Sequence, residues 1–224
     1  TGGFVDGDIL TCTVTPNDGE DTGTPVSTTI EIDNTAPELA SVTLTPASPN
    51  EGSTLTCTPS TATDDDGDTV TFDYAWTVAG AGISATTNTL TGTNFDKGDS
   101  VTCTVTPKDG KTSGTAVVSN SVTIGNTKPV ITSVTLSPTT AYTNTKLTAT
   151  VTASDVDTAD SLTYSYTWYS GTTPLSATGD TLDGATWFDK NENISVQVTA
   201  NDGTDDSTPV TSATIAILNT PPGA

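Results

Sequence analysis

Carboxylates grouped in turn-forming loops are the side chains of this sequence best able to do chemistry. One loop reads TDDDGD over residues 63–68, and a second runs from Asp155 to Asp160. Further oxygen donors stand at residues 33–34, at Asp109 and at Asp202. Carboxylate and amide oxygens suit a hard cation such as Ca²⁺. The alternative is that Asp and Gly occur in these loops because turns favour them and water solvates them.

The strongly negative charge of the chain argues against partners that are themselves negatively charged. The formal net charge is −21 at pH 7, with six Lys, no Arg and no His. Binding to nucleic acid or to anionic membranes by phosphate neutralisation is therefore not expected. No apolar run approaches the length of a membrane span.

Catalytic signatures are also missing from the sequence. Without His there is no Ser-His or Cys-His pair, and no phosphate-cradling loop is present. Two Asp residues could hydrolyse a glycoside, but the pattern predicts no cleft around them. We therefore expect a protein that is not an enzyme.

The elements that must position the acidic loops recur along the chain. Residues 100–110 (SVTCTVTPKDG) have counterparts at 9–19 (ILTCTVTPNDG) and 193–203 (NISVQVTANDG). In each copy apolar or Cys positions alternate with polar ones and stop at Asp-Gly, which is typical of a half-buried β-strand ending in a turn. Linkers beginning Asn-Thr follow at Asn34 and Asn126. The chain is therefore predicted to be a tandem array of one β unit.

The repeat sets the predicted domain boundaries. We expect the C-terminal part of a truncated unit at residues 1–34, complete units at 35–126 and 127–220, and the start of a next linker at 221–224. No stretch has a persuasive 3.6-residue period, so negligible helix is expected. Seven or so short strands in roughly ninety residues predict an all-β Greek-key sandwich for each unit.

The core of the first complete unit resembles an immunoglobulin domain. Cys57, Trp76 and Cys103 have the order and approximate spacing of its second-strand Cys, third-strand Trp and sixth-strand Cys. Val101 stands where antibody-type domains usually have Tyr. The Asp-rich loops, Asp-Gly hairpins and Asn-Thr-x-Pro linkers look more like bacterial immunoglobulin-like, PKD-like and cadherin-like tandem repeats of large surface proteins. This resemblance covers nearly the whole chain and implies tandem immunoglobulin-like sandwiches, a fold that hosts many functions.

The resemblance implies a disulfide between Cys57 and Cys103, facing each other across the sandwich. Such a bond indicates an extracellular or cell-surface location, whereas two free core thiols are the alternative. Ala149 and Val196 occupy the equivalent positions in the next unit. Cys12 lies at the sixth-strand position of the truncated unit, and its partner is expected in sequence outside this chain.

The same architecture places the acidic loop, the hairpin after the sixth strand and the incoming linker at one end of each sandwich. A Ca²⁺ ion there would stiffen the joint between domains, as in cadherin-like linkers, which residues 33–37 resemble. The next joint has Gly125 in place of Asp33, so a weaker response is expected there. The candidate metal ligands are Asp33, Asn34, Asp64, Asp65, Asp66, Asp68, Asp109, Asp155, Asp157, Asp160 and Asp202.

The truncated unit raises the question of assembly. Residues 1–33 are predicted to form only the last two strands of a sandwich, and a lone hairpin cannot bury its apolar face. We expect that face to be covered by upstream strands of the same chain or by a neighbouring subunit.

The sequence predicts a structural repeat segment of a long extracellular or cell-surface stalk, adhesin or filament. Its expected partners are neighbouring domains, copies of itself, or a protein or glycan receptor. The alternative is a carbohydrate-binding accessory module of a secreted enzyme, with Trp187 or Tyr169 as the stacking platform. Because Phe188 matches Phe95 and Phe4 in the repeat, Trp187 should face away from the core and is the candidate interface residue.

Overall fold

A computed structural model describes residues 3–222, and these are almost entirely β-stranded. The chain divides into two compact units, of which the first ends at Ile124 and the second begins at Gly125. Within the described residues the only helical segments are a 3₁₀ turn, Gly92–Asn94, and the short helix α1, Gly184–Trp187. The all-β prediction is confirmed. None of the helical segments in residues 3–222 is long and apolar enough to cross a membrane.

Unit 1 begins with an antiparallel hairpin of β1 (Ile9–Val14) and β2 (Val26–Glu31), in which Leu10 lies opposite Ile30. The same pairing recurs later in unit 1, where Val101 lies opposite Val122. The hairpin therefore corresponds to the closing strands of a repeat. Val101 and Val122 are buried, whereas the Ile30 side chain is 65% exposed. No other strand of the described chain pairs with this hairpin.

The rest of unit 1 is a complete sandwich. Its strands are β3 (Glu38–Leu39), β4 (Val42–Thr45), β5 (Thr54–Pro59), β6 (Ala62–Thr63), β7 (Thr71–Val78), β8 (Ala81–Ile83), β9 (Thr89–Thr91), β10 (Ser100–Lys108), β11 (Val117–Val118) and β12 (Val122–Thr123). One sheet has the order β4-β5-β9, and the other has the order β11-β10-β7-β8 with β12 also paired to β10. Short strands β3 and β6 pair with each other.

The core of unit 1 follows from the alternation of its strands. On β10, Val101, Cys103 and Val105 are buried, while the residues between them are only partly covered. Cys57 on β5 and Cys103 on β10 form a disulfide, which joins the two sheets and confirms the predicted pairing. Trp76 on β7 is buried beside them, and its Nε1–H donates to the Thr87 carbonyl at 2.8 Å.

Unit 2 repeats the sandwich. Its elements are β13 (Val130–Ser137), β14 (Ala141–Tyr142), β15 (Lys146–Ser154), β16 (Thr163–Ser170), β17 (Thr173–Pro174), β18 (Thr181–Asp183), α1, β19 (Asn193–Asn201), β20 (Val210–Thr211) and β21 (Ile215–Leu218). The sheets have the orders β13-β15-β18 and β14-β21-β19-β16-β17, with β20 also paired to β19. Trp168 is buried and donates to the Gly179 carbonyl, and Ala149 and Val196 are buried where unit 1 has its disulfide.

Candidate functional site

The acidic loop of unit 1 follows β6 and is folded by its first carboxylate. Asp64 Oδ1 accepts hydrogen bonds from the backbone N–H groups of Asp66 at 3.0 Å and Asp68 at 3.2 Å. Gly67 has φ +79°, a conformation that a residue with a Cβ rarely adopts. The local sequence thus bends the loop so that the Asp66 and Asp68 side chains can reach other segments.

Asp66 connects this loop to two preceding segments. Its Oδ2 accepts from the backbone N–H of Thr35 in the linker at 2.7 Å, and its Oδ1 accepts from the N–H of Asp6 at 2.9 Å. The linker is therefore held against the sandwich that follows it, and the chain just before β1 is held at the same end.

The hairpin between β10 and β11 joins the same cluster through Asp109. Asn34 donates from Nδ2 to Asp109 Oδ2 at 2.9 Å, and the N–H groups of Lys111 and Thr112 donate to Asp109 Oδ1 at 2.6 and 2.7 Å. These bonds, and above all the one from Asn34, hold the pKa of Asp109 far below its usual range because they stabilise its charged form. The structure thus brings loop, linker and hairpin together in unit 1.

Lys111 places a positive charge inside this acidic group. Its Nζ lies 2.7 Å from Asp6 Oδ2 and 2.8 Å from Asp68 Oδ2. The hydrogen bond to Asp6, followed by the one to Asp68, contributes most to raising the pKa of Lys111 above its usual range. Of the remaining predicted ligands, Asp33 and Asp65 are exposed.

Unit 2 builds the same frame from equivalent residues. Asp155 Oδ1 accepts from the N–H of Asp157 at 2.9 Å, and Asp157 Oδ2 accepts from the N–H of Thr127 at 2.8 Å. Asn126 donates from Nδ2 to Asp202 Oδ2 at 2.8 Å and to Asp205 Oδ2 at 3.2 Å. Each linker is thus bound to its own sandwich through the backbone N–H of its Thr and the side chain of its Asn.

Carboxylates gather more closely in unit 2. Asp155, Asp160 and Asp202 each offer one oxygen, and these oxygens all lie within 4.8 Å of one another. Asp202 is buried and the other two are half-buried. Across residues 3–222 this is the one group of three or more acidic, Cys or His side chains gathered closely enough to share an ion.

Buried oxygens without hydrogen bonds accompany both clusters. In unit 2 they include Asp155 Oδ2 and Thr127 Oγ1, and in unit 1 they include Asp64 Oδ2 and Asn34 Oδ1. A buried acceptor without a donor is costly, and a cation is one partner that would satisfy it. The donors are all oxygens, which fits Ca²⁺ or Mg²⁺ rather than Zn²⁺.

Sequence reasoning missed two members of these clusters, Asp6 and Asp205. The signal for Asp205 was available, because residues 202–205 read Asp-Gly-Thr-Asp where residues 109–112 read Asp-Gly-Lys-Thr. Asp6 could not be found in this way, because it lies in the segment before the hairpin and no spacing links it to the loop.

Trp187 was expected to face away from the core, and this expectation is wrong. It is half-buried and packs against the core of unit 2. The alternation argument fails because Trp187 and Phe188 lie at the end of α1, and successive side chains of a helical turn are only about 100° apart. Tyr169 on β16 is also half-buried.

Comparison with known proteins gives likenesses in structure only. The sequence matches no protein-family model and no curated protein. The chain is similar to the chicken CNTN1 FN1–FN3 domains at 11% identity, covering 92% of this chain and 76% of that one, with a TM-score of 0.33.

Two further solved structures show likenesses of the same size. A two-domain fibronectin type III segment of chicken tenascin is 12% identical over 77% of this chain and 96% of that one, with a TM-score of 0.40. The three N-terminal domains of the bacteriophage RB49 Highly Immunogenic Outer Capsid protein are 20% identical to this chain. The match covers 79% of this chain and 59% of that one, with a TM-score of 0.32. Likenesses of this size identify no function.

Proposed function

We propose that this chain is a structural repeat segment of a long extracellular or cell-surface stalk, adhesin or filament, and that Ca²⁺ binds at the linker-bearing end of unit 2. The observation that carries the proposal is the repeated frame in which each linker is hydrogen-bonded to the acidic loop and hairpin of its own sandwich. A chain that must hold its direction from one domain to the next needs its linkers fixed in this way.

The disulfide supports the extracellular or cell-surface location in this proposal. Cys57 and Cys103 are bonded in a core that also contains the buried Trp76. Disulfides of this structural kind form and persist in oxidising compartments outside the cytoplasm. The disulfide therefore supports an extracellular or cell-surface location for the segment.

Electrostatics favours a bound cation in unit 2. Carboxylate oxygens about 5 Å apart repel by roughly 3 kcal/mol per pair at an effective dielectric constant near 20. Asp155, Asp160 and Asp202 form three such pairs, and the Lys128 ammonium, 3.5 Å from Asp205, is largely exposed and therefore screened by water. A divalent cation would turn this repulsion into attraction and would meet the buried oxygens Asp155 Oδ2 and Thr127 Oγ1.

Calcium suits this site better than magnesium. The donors come from the loop, the linker and the hairpin, so they are irregularly placed, and Ca²⁺ accepts six to eight oxygens in flexible geometry. Mg²⁺ requires a near-octahedral shell and keeps several waters. We place the ion in unit 2, although the sequence favoured the first joint, because oxygens of Asp155, Asp160 and Asp202 gather within 4.8 Å of one another there.

The test is calorimetric titration of the full chain with CaCl₂ after treatment with chelator. We expect binding that Asp160→Asn weakens at least tenfold. Asp189→Asn is the matched control, because Asp189 is an exposed carboxylate of the same unit outside the cluster, and it should leave the affinity unchanged. Absence of heat at millimolar calcium, or equal loss of affinity in both variants, would refute the proposed site.

A further inference from the structure

Lys111 occupies the position at which the two linker clusters differ most. Both clusters contain five carboxylates: Asp6, Asp64, Asp66, Asp68 and Asp109 in unit 1, and Asp155, Asp157, Asp160, Asp202 and Asp205 in unit 2. Lys111 follows the Asp-Gly of the hairpin in unit 1, and Thr204 stands at that place in unit 2.

The Lys111 ammonium makes the contacts expected of a bridging cation. It reaches carboxylates of two segments far apart in sequence, Asp6 at 2.7 Å and Asp68 at 2.8 Å. Asp68 has the same place in the unit 1 loop as Asp160 in unit 2, where Asp160 gathers with Asp155 and Asp202. In unit 2 the Lys128 ammonium lies 3.5 Å from Asp205, a longer contact than either contact of Lys111.

We propose that Lys111 supplies the counter-charge of the unit 1 cluster in place of a divalent cation, so that the unit 1 linker is held without metal whereas the unit 2 linker depends on it. The part concerning unit 2 rests on the proposed function. An ammonium and a Ca²⁺ ion compete for the same carboxylates and repel each other, so one excludes the other. The residue that follows the Asp-Gly of the hairpin, Lys111 in unit 1 and Thr204 in unit 2, thus determines which kind of cation each cluster binds.

The first experiment measures how much Lys111 stabilises the unit 1 cluster when no metal is present. Amide hydrogen exchange of the full chain is followed by NMR in the presence of chelator, with the Asp6 N–H as the probe because it donates to Asp66 beside Lys111. Lys111→Thr and Lys111→Gln should each speed exchange of this amide at least threefold. Lys108→Thr is the matched control, because Lys108 forms an ion pair with the exposed Asp73 outside the cluster. Unchanged exchange in both Lys111 variants would overturn the proposal.

The second experiment adds calcium to the same proteins. In the native chain the Thr127 and Asp157 amides should shift and the Thr35 and Asp66 amides should not. Lys111→Thr should make the unit 1 amides respond, and Thr204→Lys should weaken calcium binding in unit 2 at least tenfold.

The outcomes separate the two proposals. Equal calcium responses of the unit 1 amides in the native chain and in Lys111→Thr would overturn the role of Lys111 and leave the calcium site of unit 2 intact. Silent unit 2 amides would refute the calcium site, and the role of Lys111 as counter-charge would then be decided by the exchange of the Asp6 amide.

Discussion

The two linker clusters share a backbone frame and differ in the residues that follow the Asp-Gly of the hairpin. In both, a carboxylate of the acidic loop accepts the N–H of the Thr that follows the linker Asn, and that Asn donates to the Asp of the hairpin. Unit 1 adds Lys111 to this frame, whereas unit 2 adds Asp205. The comparison shows that a repeat can keep the hydrogen bonds of its linker while the residues around that linker change from Lys111 in unit 1 to Thr204 and Asp205 in unit 2.

The two cores differ in a comparable way. Unit 1 joins its sheets through Cys57 and Cys103, and unit 2 packs Ala149 and Val196 in the equivalent places around its own buried Trp168. The sandwich therefore does not require the bridge in order to form. The bridge adds stability to one copy of a fold that the other copy reaches by packing alone.

The largest expected effect comes from giving unit 1 the core of unit 2. The double variant Cys57→Ala with Cys103→Val removes a bridge that spans a sequence separation of 46 residues, and should cost unit 1 about 2–5 kcal/mol of unfolding free energy. Urea denaturation followed by NMR measures both units at once, because the indole signal of Trp76 reports on unit 1 and that of Trp168 on unit 2. An unchanged Trp76 midpoint would show that the bridge contributes nothing.

The next largest loss of stability is expected at two equivalent positions, Ser207 in unit 2 and Gly114 in unit 1. In unit 2 the buried Ser207 hydroxyl accepts the N–H of Ala200 at 2.9 Å. Unit 1 has Pro107, which lacks an N–H, and Gly114 at these places. Ser207→Ala should therefore cost about 1–3 kcal/mol, because it leaves a buried donor without an acceptor.

Gly114 has a different reason to be small. A Cβ at this position would lie 1.9 Å from the carbonyl oxygen of Pro37. Gly114→Ala should therefore destabilise unit 1 by about 1–3 kcal/mol through overpacking. Both variants are measured by the denaturation experiment above. A neutral Ser207→Ala would show that the Ala200 N–H finds another acceptor, and a neutral Gly114→Ala would show that the linker around Pro37 can move to accept a methyl group.

The smallest expected effects distinguish two adjacent linker residues. Asn34→Ala removes the hydrogen bonds to Asp109 and Thr112 and should cost unit 1 about 1 kcal/mol. Asp33→Ala should change stability by less than about 0.5 kcal/mol, because Asp33 is exposed. A larger loss from Asp33→Ala than from Asn34→Ala, in thermal melts without calcium, would reverse this assignment.

Much of the fold could be predicted because alternation along a strand reports directly on burial. On β10 every second residue from Val101 is buried, as the pattern indicates, and the order Cys57, Trp76, Cys103 identified the disulfide. Trp187 was misplaced because it lies on a helical turn, where the two-residue period does not apply.

The clusters were predictable only in part. Asn34, Asp66 and Asp109 are identifiable from turn chemistry and the expected end of a sandwich. The position of the Lys111 ammonium depends on side-chain reach and on Asp6, which belongs to the preceding hairpin segment. Such contacts between segments distant in the chain leave no periodic signal.

The most direct test of the central claim is a crystal structure of the full chain grown with calcium, with data collected for anomalous scattering. We expect an ion bound by Asp155, Asp160 and Asp202, and the Lys111 ammonium between Asp6 and Asp68 with no ion in that cluster. An ion among Asp64, Asp66, Asp68 and Asp109, or none at Asp155, Asp160 and Asp202 at millimolar calcium, would contradict it.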